Sequence, residues 1–190
     1  YGQAHPESCL GFILRGIFLG SAREIDWFLY GMKRLFPEHW LDFSEAVPEA
    51  ERGDLMTAYE KRLFDPDPAV HMPAAVAWSR YEGACSTLRP NPEHVAQFSG
   101  DVMALGLARI ESHFFRNGCF REEGALLAGV ERIRHLPAII VQGRYDVVCP
   151  PETAFALRRA WPEADFLMVD DAGHAATEPG TRSALIAATD

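Results

Sequence analysis

Three short apolar runs along the chain predict buried β-strands. They lie at residues 10–14, 138–141 and 165–169. Continuous hydrophobicity over so few residues is typical of parallel strands, because both faces of such a sheet are covered. Between the second and third runs, residues 151–160 begin with proline and carry acidic side chains ahead of basic ones, as helices do. Strand, helix and strand in this order predict a βαβ unit.

The middle of the chain has a different pattern, since apolar residues recur there at helical spacing. This region is too long for a simple crossover between strands and indicates a helical subdomain. We therefore predict an α/β fold in which residues 1–20 and 136–190 form a parallel sheet with flanking helices and residues 21–135 form an inserted α-helical cap. The helical segments are 23–34, 54–63, 74–82 and 102–115, and the proline-rich loops between them are 36–38, 65–68 and 89–92.

Charge narrows the range of partners. The 190 residues include 18 basic and 27 acidic side chains, a net charge of −9. Binding to nucleic acid or to an anionic membrane needs a basic surface, so we expect neither partner. The chain has no run of 18 apolar residues and no signal-peptide pattern, so we expect no transmembrane helix and no leader.

Cysteine usage indicates the compartment. The four cysteines, Cys9, Cys85, Cys119 and Cys149, are too few for a disulfide scaffold and too dispersed for a structural zinc site. We expect reduced thiols and a cytoplasmic location. No cluster of histidine, aspartate or glutamate has metal-ligand spacing, so neither a metal nor an organic cofactor is expected.

Two polar residues follow successive predicted strands and suggest catalysis. Asp146 comes after the strand at 138–141, and His174 comes after the strand at 165–169. The carboxyl ends of parallel strands meet at one edge of a sheet, where catalytic groups collect. An aspartate that accepts from one imidazole nitrogen leaves the other free as a general base. Each residue alone is more often a turn or loop residue, but the pair in this order favours the Ser, Asp, His order of α/β-hydrolases.

The nucleophile of such a triad is not found in the chain. A Gly-x-Ser-x-Gly elbow is expected before the first strand, yet no serine has glycine at both flanking positions. Residues 1–7 are interpreted as the end of the helix that follows the nucleophile. We expect that the chain begins just after its own serine. The alternative is that no serine existed and the site is inactive.

Short motifs spread over nearly all 190 residues resemble one family. The most specific lie at 141–150, 172–174 and 178–180, and the others lie at 1–7, 14–19, 24–28, 36–40, 77–83 and 108–111. In these segments the chain resembles the proline iminopeptidases (prolyl aminopeptidases), which are α/β-hydrolases that release N-terminal proline from peptides. The resemblance implies peptide substrates and a chain that is the C-terminal part of the enzyme.

The resemblance also assigns roles to individual residues. Asp146 and His174 would be the second and third members of the triad. The family's serine would lie about eight residues before Tyr1, and the oxyanion hole would also lie upstream. We therefore expect no peptidase activity from the 190 residues alone.

Substrate binding is assigned by the same resemblance. Glu82 and Glu111 would bind the substrate's free amino group, and Phe18 would pack on the prolyl ring. Arg15 lies beside Phe18 in the same motif, and Phe28 is expected near the pocket. Two carboxylates suit a cationic amine because they form charge-assisted hydrogen bonds with it, whereas the pyrrolidine ring needs an apolar pocket.

Two other interpretations stay open. One is a different capped α/β-hydrolase, such as an esterase or an epoxide hydrolase, which would share Asp146 and His174 but would not need the two glutamates. The other is a degenerate homologue that serves as a binding module. The sequence also departs from the family at Tyr81, where the family commonly has tryptophan, and this exchange can alter the pocket without removing Glu82.

Overall fold

The computed structural model describes residues 1–189 and divides into two compact units. The sheet unit contains residues 1–21, 86–88 and 122–189, and the helical unit contains residues 22–85 and 89–121. These units follow from packing within the chain. The domain limits at residues 20 and 135 remain a prediction about the whole protein.

The sheet unit contains three parallel strands in the order β1-β2-β3. Leu14 and Phe166 are both register partners of Ile140, so β2 is the central strand. Ile140 is 0% exposed, in agreement with the apolar run at residues 138–141. The strands are β1 (Phe12–Arg15), β2 (Ala138–Gly143) and β3 (Asp165–Val169).

Helices account for most of the remaining regular structure. The helical unit carries α1 to α6 and the sheet unit carries α7 to α9. In chain order they are α1 (Ala22–Asp26), α2 (Pro37–Glu45), α3 (Leu55–Leu63), α4 (Pro68–Cys85), α5 (Pro92–Phe98), α6 (Asp101–Arg116), α7 (Ala125–Ala128), α8 (Pro151–Ala160) and α9 (Pro179–Ala187).

The predicted strands and the βαβ unit are confirmed. β3 and α8 have their predicted limits, and β2 extends two residues further than predicted, to Gly143. β1 begins at Phe12 rather than at residue 10. Leu10 is 96% exposed, so its apolar side chain does not belong to the buried run.

The first residues do not form the predicted end of a helix. Residues 1–4 form a turn, and a short 3₁₀ helix covers Pro6–Ser8. His5 precedes a proline, whose ring disfavours the helical region for the residue before it, and His5 accordingly has φ −136° and ψ 57°. The interpretation of residues 1–7 as a helix end was therefore wrong.

Prolines begin helices where the sequence indicated loops. Pro37 and Pro92 each lie in the first turn of a helix, so the predicted loops at 36–38 and 89–92 contain the starts of α2 and α5. Proline is favoured there because its missing N–H has no partner in the first turn anyway. α4 also begins earlier than residue 74 and continues through Pro73. Its packing against α2, α3, α5 and α6 offsets the backbone hydrogen bond that Pro73 cannot donate.

The core of the helical unit is a cluster of aromatic rings. Phe43 stacks on Tyr59 and on Tyr81, with ring centroids 4.5 Å and 4.6 Å apart. The Tyr59 hydroxyl donates to the Phe43 carbonyl oxygen at 2.6 Å, and the Tyr81 hydroxyl donates to that of Phe28 at 3.1 Å. Burial raises the pKa of both tyrosines far above the usual range, so these hydroxyls stay neutral donors.

Two observations concern membrane-spanning helices and the redox state of the cysteines. Within residues 1–189, no helix combines the length and the apolar character needed to cross a bilayer. All four cysteines are free thiols, and Cys85 and Cys149 are buried.

Two helix glycines provide a test of this packing. A Cβ at Gly83 in α4 would lie 2.9 Å from Cβ of Phe98 in α5, whereas a Cβ at Gly106 in α6 would meet nothing within 4 Å. We expect Gly83→Ala to lower the free energy of unfolding by about 1–2 kcal/mol, since overpacking outweighs the gain in helix propensity. The matched change Gly106→Ala should raise it by about 1 kcal/mol.

Urea unfolding of the natural gene product that contains these residues, followed by circular dichroism, measures both changes. Equal effects of the two substitutions would contradict the close approach of α4 and α5.

Candidate active site

The structure brings Asp146 and His174 into direct contact within the sheet unit. Nδ1 of His174 lies 2.9 Å from Oδ2 and 3.2 Å from Oδ1 of Asp146. Asp146 is 4% exposed, and the side chain of His174 is 15% exposed. Each residue follows the carboxyl end of its strand, β2 for Asp146 and β3 for His174. The geometry is that of an aspartate that orients an imidazole.

This contact determines how the proton is placed on the imidazole. A carboxylate accepts hydrogen bonds, so Nδ1 of His174 carries the hydrogen that points to Asp146. Nε2 is then left with its lone pair and can take a proton from a nucleophile. The pair therefore has the arrangement that general base catalysis requires.

The carboxylate of Asp146 is itself held by neighbouring groups. The backbone N–H of Cys149 donates to Oδ1 at 2.7 Å, and Nε2 of Gln142 lies 3.4 Å from Oδ2. Gln142 is 0% exposed, and its Nε2 also donates to the carbonyl oxygens of Cys149 at 3.1 Å and of Gly143 at 3.2 Å. These bonds fix the turn after β2 and thereby the direction of the carboxylate.

Sequence reasoning missed Gln142. Its signal was a polar side chain at the end of an otherwise apolar strand, since a buried amide needs hydrogen-bond partners. The sequence could not identify these partners. Two of the three, the Asp146 carboxylate and the Cys149 carbonyl oxygen, lie in the turn that follows the strand.

Backbone contacts hold the segment that carries His174 in place. The N–H groups of His174 and Ala175 both donate to the Ser86 carbonyl oxygen at 2.8 Å. The carbonyl oxygen of His174 accepts from the guanidinium of Arg15, at the end of β1. Arg15 was assigned to substrate binding as the neighbour of Phe18 in the same motif, and this role stays a prediction; in the structure its charged group lies on the backbone of His174.

Gly16 lets the chain after β1 approach the imidazole. It has φ +59°, a conformation that favours glycine, and a Cβ there would lie 2.9 Å from Cε1 of His174. A Cβ at Gly143 would overlap the carbonyl oxygen of Gly173. Glycine at both positions is therefore required for the observed geometry.

The two predicted amine-binding acids lie in the helical unit, on helices that pack against each other. Glu82 is in α4 and 7% exposed, and Glu111 is in α6. The indole N–H of Trp78 donates to Oε2 of Glu111 at 2.8 Å. Trp78 lies one turn before Glu82 on the same face of α4, so the two acids share one side of the α4–α6 pair.

The electrostatic effect of Glu82 reaches its neighbour Cys85. Burial raises the pKa of the Cys85 thiol to about 12, and the carboxylates of Glu38 and Glu82 add to that increase. This thiol is therefore protonated at neutral pH and is not a nucleophile.

The remaining predicted residues have different surroundings. Phe28 is 3% exposed and packs against Trp78 and Tyr81 in the aromatic core of the helical unit, with centroids 5.3 Å and 5.6 Å away. Phe18 is half-buried in the sheet unit, after β1. Their roles in substrate binding remain predictions. Within the described part of the chain, no group of three or more histidine, cysteine, aspartate or glutamate side chains is arranged to hold a metal ion.

Comparisons with known proteins identify one family model and several relatives that share one name. The family model described as TAP-like protein, an α/β-hydrolase family, matches residues 126–189. The chain is 47% identical to a probable proline iminopeptidase from Leptolyngbya boryana, with 100% of this chain and 60% of that protein covered. It is 46% identical to a proline iminopeptidase from Arabidopsis thaliana, with 100% and 51% covered. For a proline iminopeptidase from Neisseria gonorrhoeae the identity is 39%, with 100% and 61% covered. The chain thus spans about half to three fifths of the length of these curated relatives.

Gly16 offers a test of the site geometry, because the backbone strain of a side chain at this position can be distinguished from its contact with the His174 imidazole. Gly16 and Gly124 have φ +59° and +78°, but a Cβ at Gly124 would meet nothing within 4 Å. Alanine at either position should cost about 1–2 kcal/mol of stability through backbone strain. Only Gly16→Ala should also displace the imidazole of His174 from Asp146.

The measurement is the proton NMR resonance of the hydrogen on Nδ1 of His174, which hydrogen bonding to a carboxylate shifts far downfield. We expect it to disappear in Gly16→Ala and to persist in Gly124→Ala. Its persistence in both variants would show that the imidazole does not depend on Gly16.

Proposed function

We propose that the protein containing this chain is a serine aminopeptidase that releases N-terminal proline from peptides. The chain is homologous along its whole length to proteins named proline iminopeptidase. It also carries part of an α/β-hydrolase fold. The observation that carries this proposal is the hydrogen bond between His174 and the buried Asp146. We also propose a cytoplasmic location, which the four free thiols support.

The proposed chemistry is acyl transfer through a covalent intermediate. A serine encoded upstream of Tyr1 attacks the prolyl carbonyl carbon, and Nε2 of His174 takes the proton of its hydroxyl. His174 then donates that proton to the leaving amine, the peptide bond breaks, and the prolyl group remains on serine. In the second step Nε2 of His174 takes a proton from water, the water oxygen attacks the prolyl carbonyl carbon, and the ester bond breaks as His174 returns the proton to the serine oxygen and proline leaves. Asp146 orients the imidazole and stabilises its protonated form.

Glu82 and Glu111 are proposed to recognise the positively charged amino group of the substrate. Charge-assisted hydrogen bonds to carboxylates are stronger than neutral ones, and a bound cation offsets the repulsion between two acids. The indole N–H of Trp78 donates to Oε2 of Glu111, and this hydrogen bond defines the orientation of that carboxylate. Phe18 is proposed to contact the apolar prolyl ring, and Phe28 is proposed as a further substrate-binding residue.

The first test is a substrate panel with the natural gene product that contains these residues. We expect it to hydrolyse prolyl p-nitroanilide in strong preference to the alanyl and leucyl compounds. His174→Ala should lower kcat by roughly 10⁴-fold or more, because the general base is lost. His39→Ala, at a half-buried histidine of α2 in the helical unit, is the control and should leave kcat unchanged.

Lack of turnover of all three substrates by a folded protein would overturn the aminopeptidase proposal. Full activity of His174→Ala would overturn the proposed base.

The second test concerns the two acids of the helical unit. We expect Glu82→Gln and Glu111→Gln each to lower kcat/KM for prolyl p-nitroanilide by roughly tenfold to a hundredfold, the value of one charge-assisted hydrogen bond. Glu93→Gln, at an exposed position in the first turn of α5, removes the same charge and should have no such effect. Unchanged proline release by both variants would favour another capped α/β-hydrolase, such as an esterase or an epoxide hydrolase.

A further inference from the structure

Glu178 is a charged residue that the proposed chemistry does not use. It occupies the N-cap position of α9, but its side chain does not cap that helix. Its carboxylate instead accepts from the N–H of Gly173 at 2.6 Å through Oε2 and from the N–H of Leu88 at 2.8 Å through Oε1. One side chain thus joins the residue before His174 to a segment 90 residues away in the sequence.

The two backbone segments that Glu178 joins are in close contact. A Cβ at Gly173 would lie 2.9 Å from the Leu88 nitrogen and 3.1 Å from the Ser86 oxygen. The same Ser86 oxygen accepts the N–H groups of His174 and Ala175. Residues 173–175 are therefore held against residues 86–88 in two ways. Two N–H groups donate directly to the Ser86 oxygen, and the Glu178 carboxylate bridges the N–H groups of Gly173 and Leu88.

A carboxylate is suited to this position because it accepts at both oxygens. Both donors are backbone N–H groups, so both oxygens must be acceptors. An amide side chain offers one oxygen and one NH₂ group, and the NH₂ group would face a second donor. Hydrogen bonds to a charged acceptor are also shorter and stronger than neutral ones.

We propose that Glu178 is a positioning residue, which holds the Gly173–His174 backbone on residues 86–88 and thereby keeps the imidazole of His174 aligned with Asp146. The proposal rests on the proposed function in that His174 is the base of the reaction. Glu178 does not contact the imidazole and acts through the backbone of the preceding residue. Its effect should therefore fall on the rate of the chemical step rather than on substrate affinity.

The experiment uses Glu178→Gln in the natural gene product, with Asp171→Asn as the matched control. Asp171 is exposed in the same loop, and its replacement removes the same charge. With prolyl p-nitroanilide, we expect kcat of Glu178→Gln to fall by about ten- to a hundredfold, as for a small displacement of a catalytic group, with KM within about twofold of the unchanged protein. Glu178→Asp, which keeps the charge but shortens the side chain, should recover only part of kcat.

Hydrogen exchange of the peptide that covers residues 170–176 provides a readout that does not depend on activity. We expect faster exchange in Glu178→Gln than in Asp171→Asn, since Gly173 loses its acceptor. A kcat equal to that of the control, or a rise in KM with kcat unchanged, would overturn the proposal. So would a lower melting temperature accompanied by normal kcat, because that is the result of a purely structural role.

The two proposals can fail separately. If the unchanged protein releases no proline, the proposed function fails, and hydrogen exchange alone then decides the role of Glu178. Faster exchange at 170–176 supports the positioning role, and unchanged exchange overturns it. If Glu178→Gln does not fold, Glu178→Asp takes its place in both measurements.

Discussion

The site depends on the close backbone approach between the ends of β2 and β3. Gly143 has no side chain to separate its strand from the Gly173 carbonyl oxygen. Backbone hydrogen bonds of 2.9 Å from Arg144 to Val169 and from Tyr145 to Ala172 then continue the contact beyond the strands. Because the segments after β2 and β3 run this close together, a short side chain such as aspartate can reach the imidazole. Any side chain at residue 143 would separate the two ends and lengthen that hydrogen bond.

Sequence patterns predicted the parts of this arrangement that are local in the chain. The three strands and α8 were identified because a buried parallel strand and an amphipathic helix each have a recognisable period. Asp146 and His174 were identified because residues after parallel strands share one edge of the sheet. Proline was less informative, since Pro37 and Pro92 mark both the end of a loop and the start of a helix.

The sequence could not predict contacts that arise only when distant segments meet. Gln142 and Glu178 are both polar residues in the matched motifs, yet their partners became apparent only from the folded backbone. Arg15 was assigned from its neighbour in sequence, whereas its guanidinium lies on the His174 carbonyl group. Phe28 is buried in the aromatic core of the helical unit, and its role near the substrate remains a prediction.

Residues 86–88 affect how the helical unit can be exchanged between related proteins. The chain leaves the sheet unit after residue 21, returns for three residues, and leaves again until residue 122. The helical unit is therefore composed of two segments of the chain, residues 22–85 and 89–121. A chimera that exchanged everything between residues 21 and 122 would replace residues 86–88, which hydrogen-bond to the backbone of His174, together with the helical unit. Exchange of the helical unit between relatives in two pieces, with residues 86–88 kept from the recipient, would leave this backbone contact unaltered.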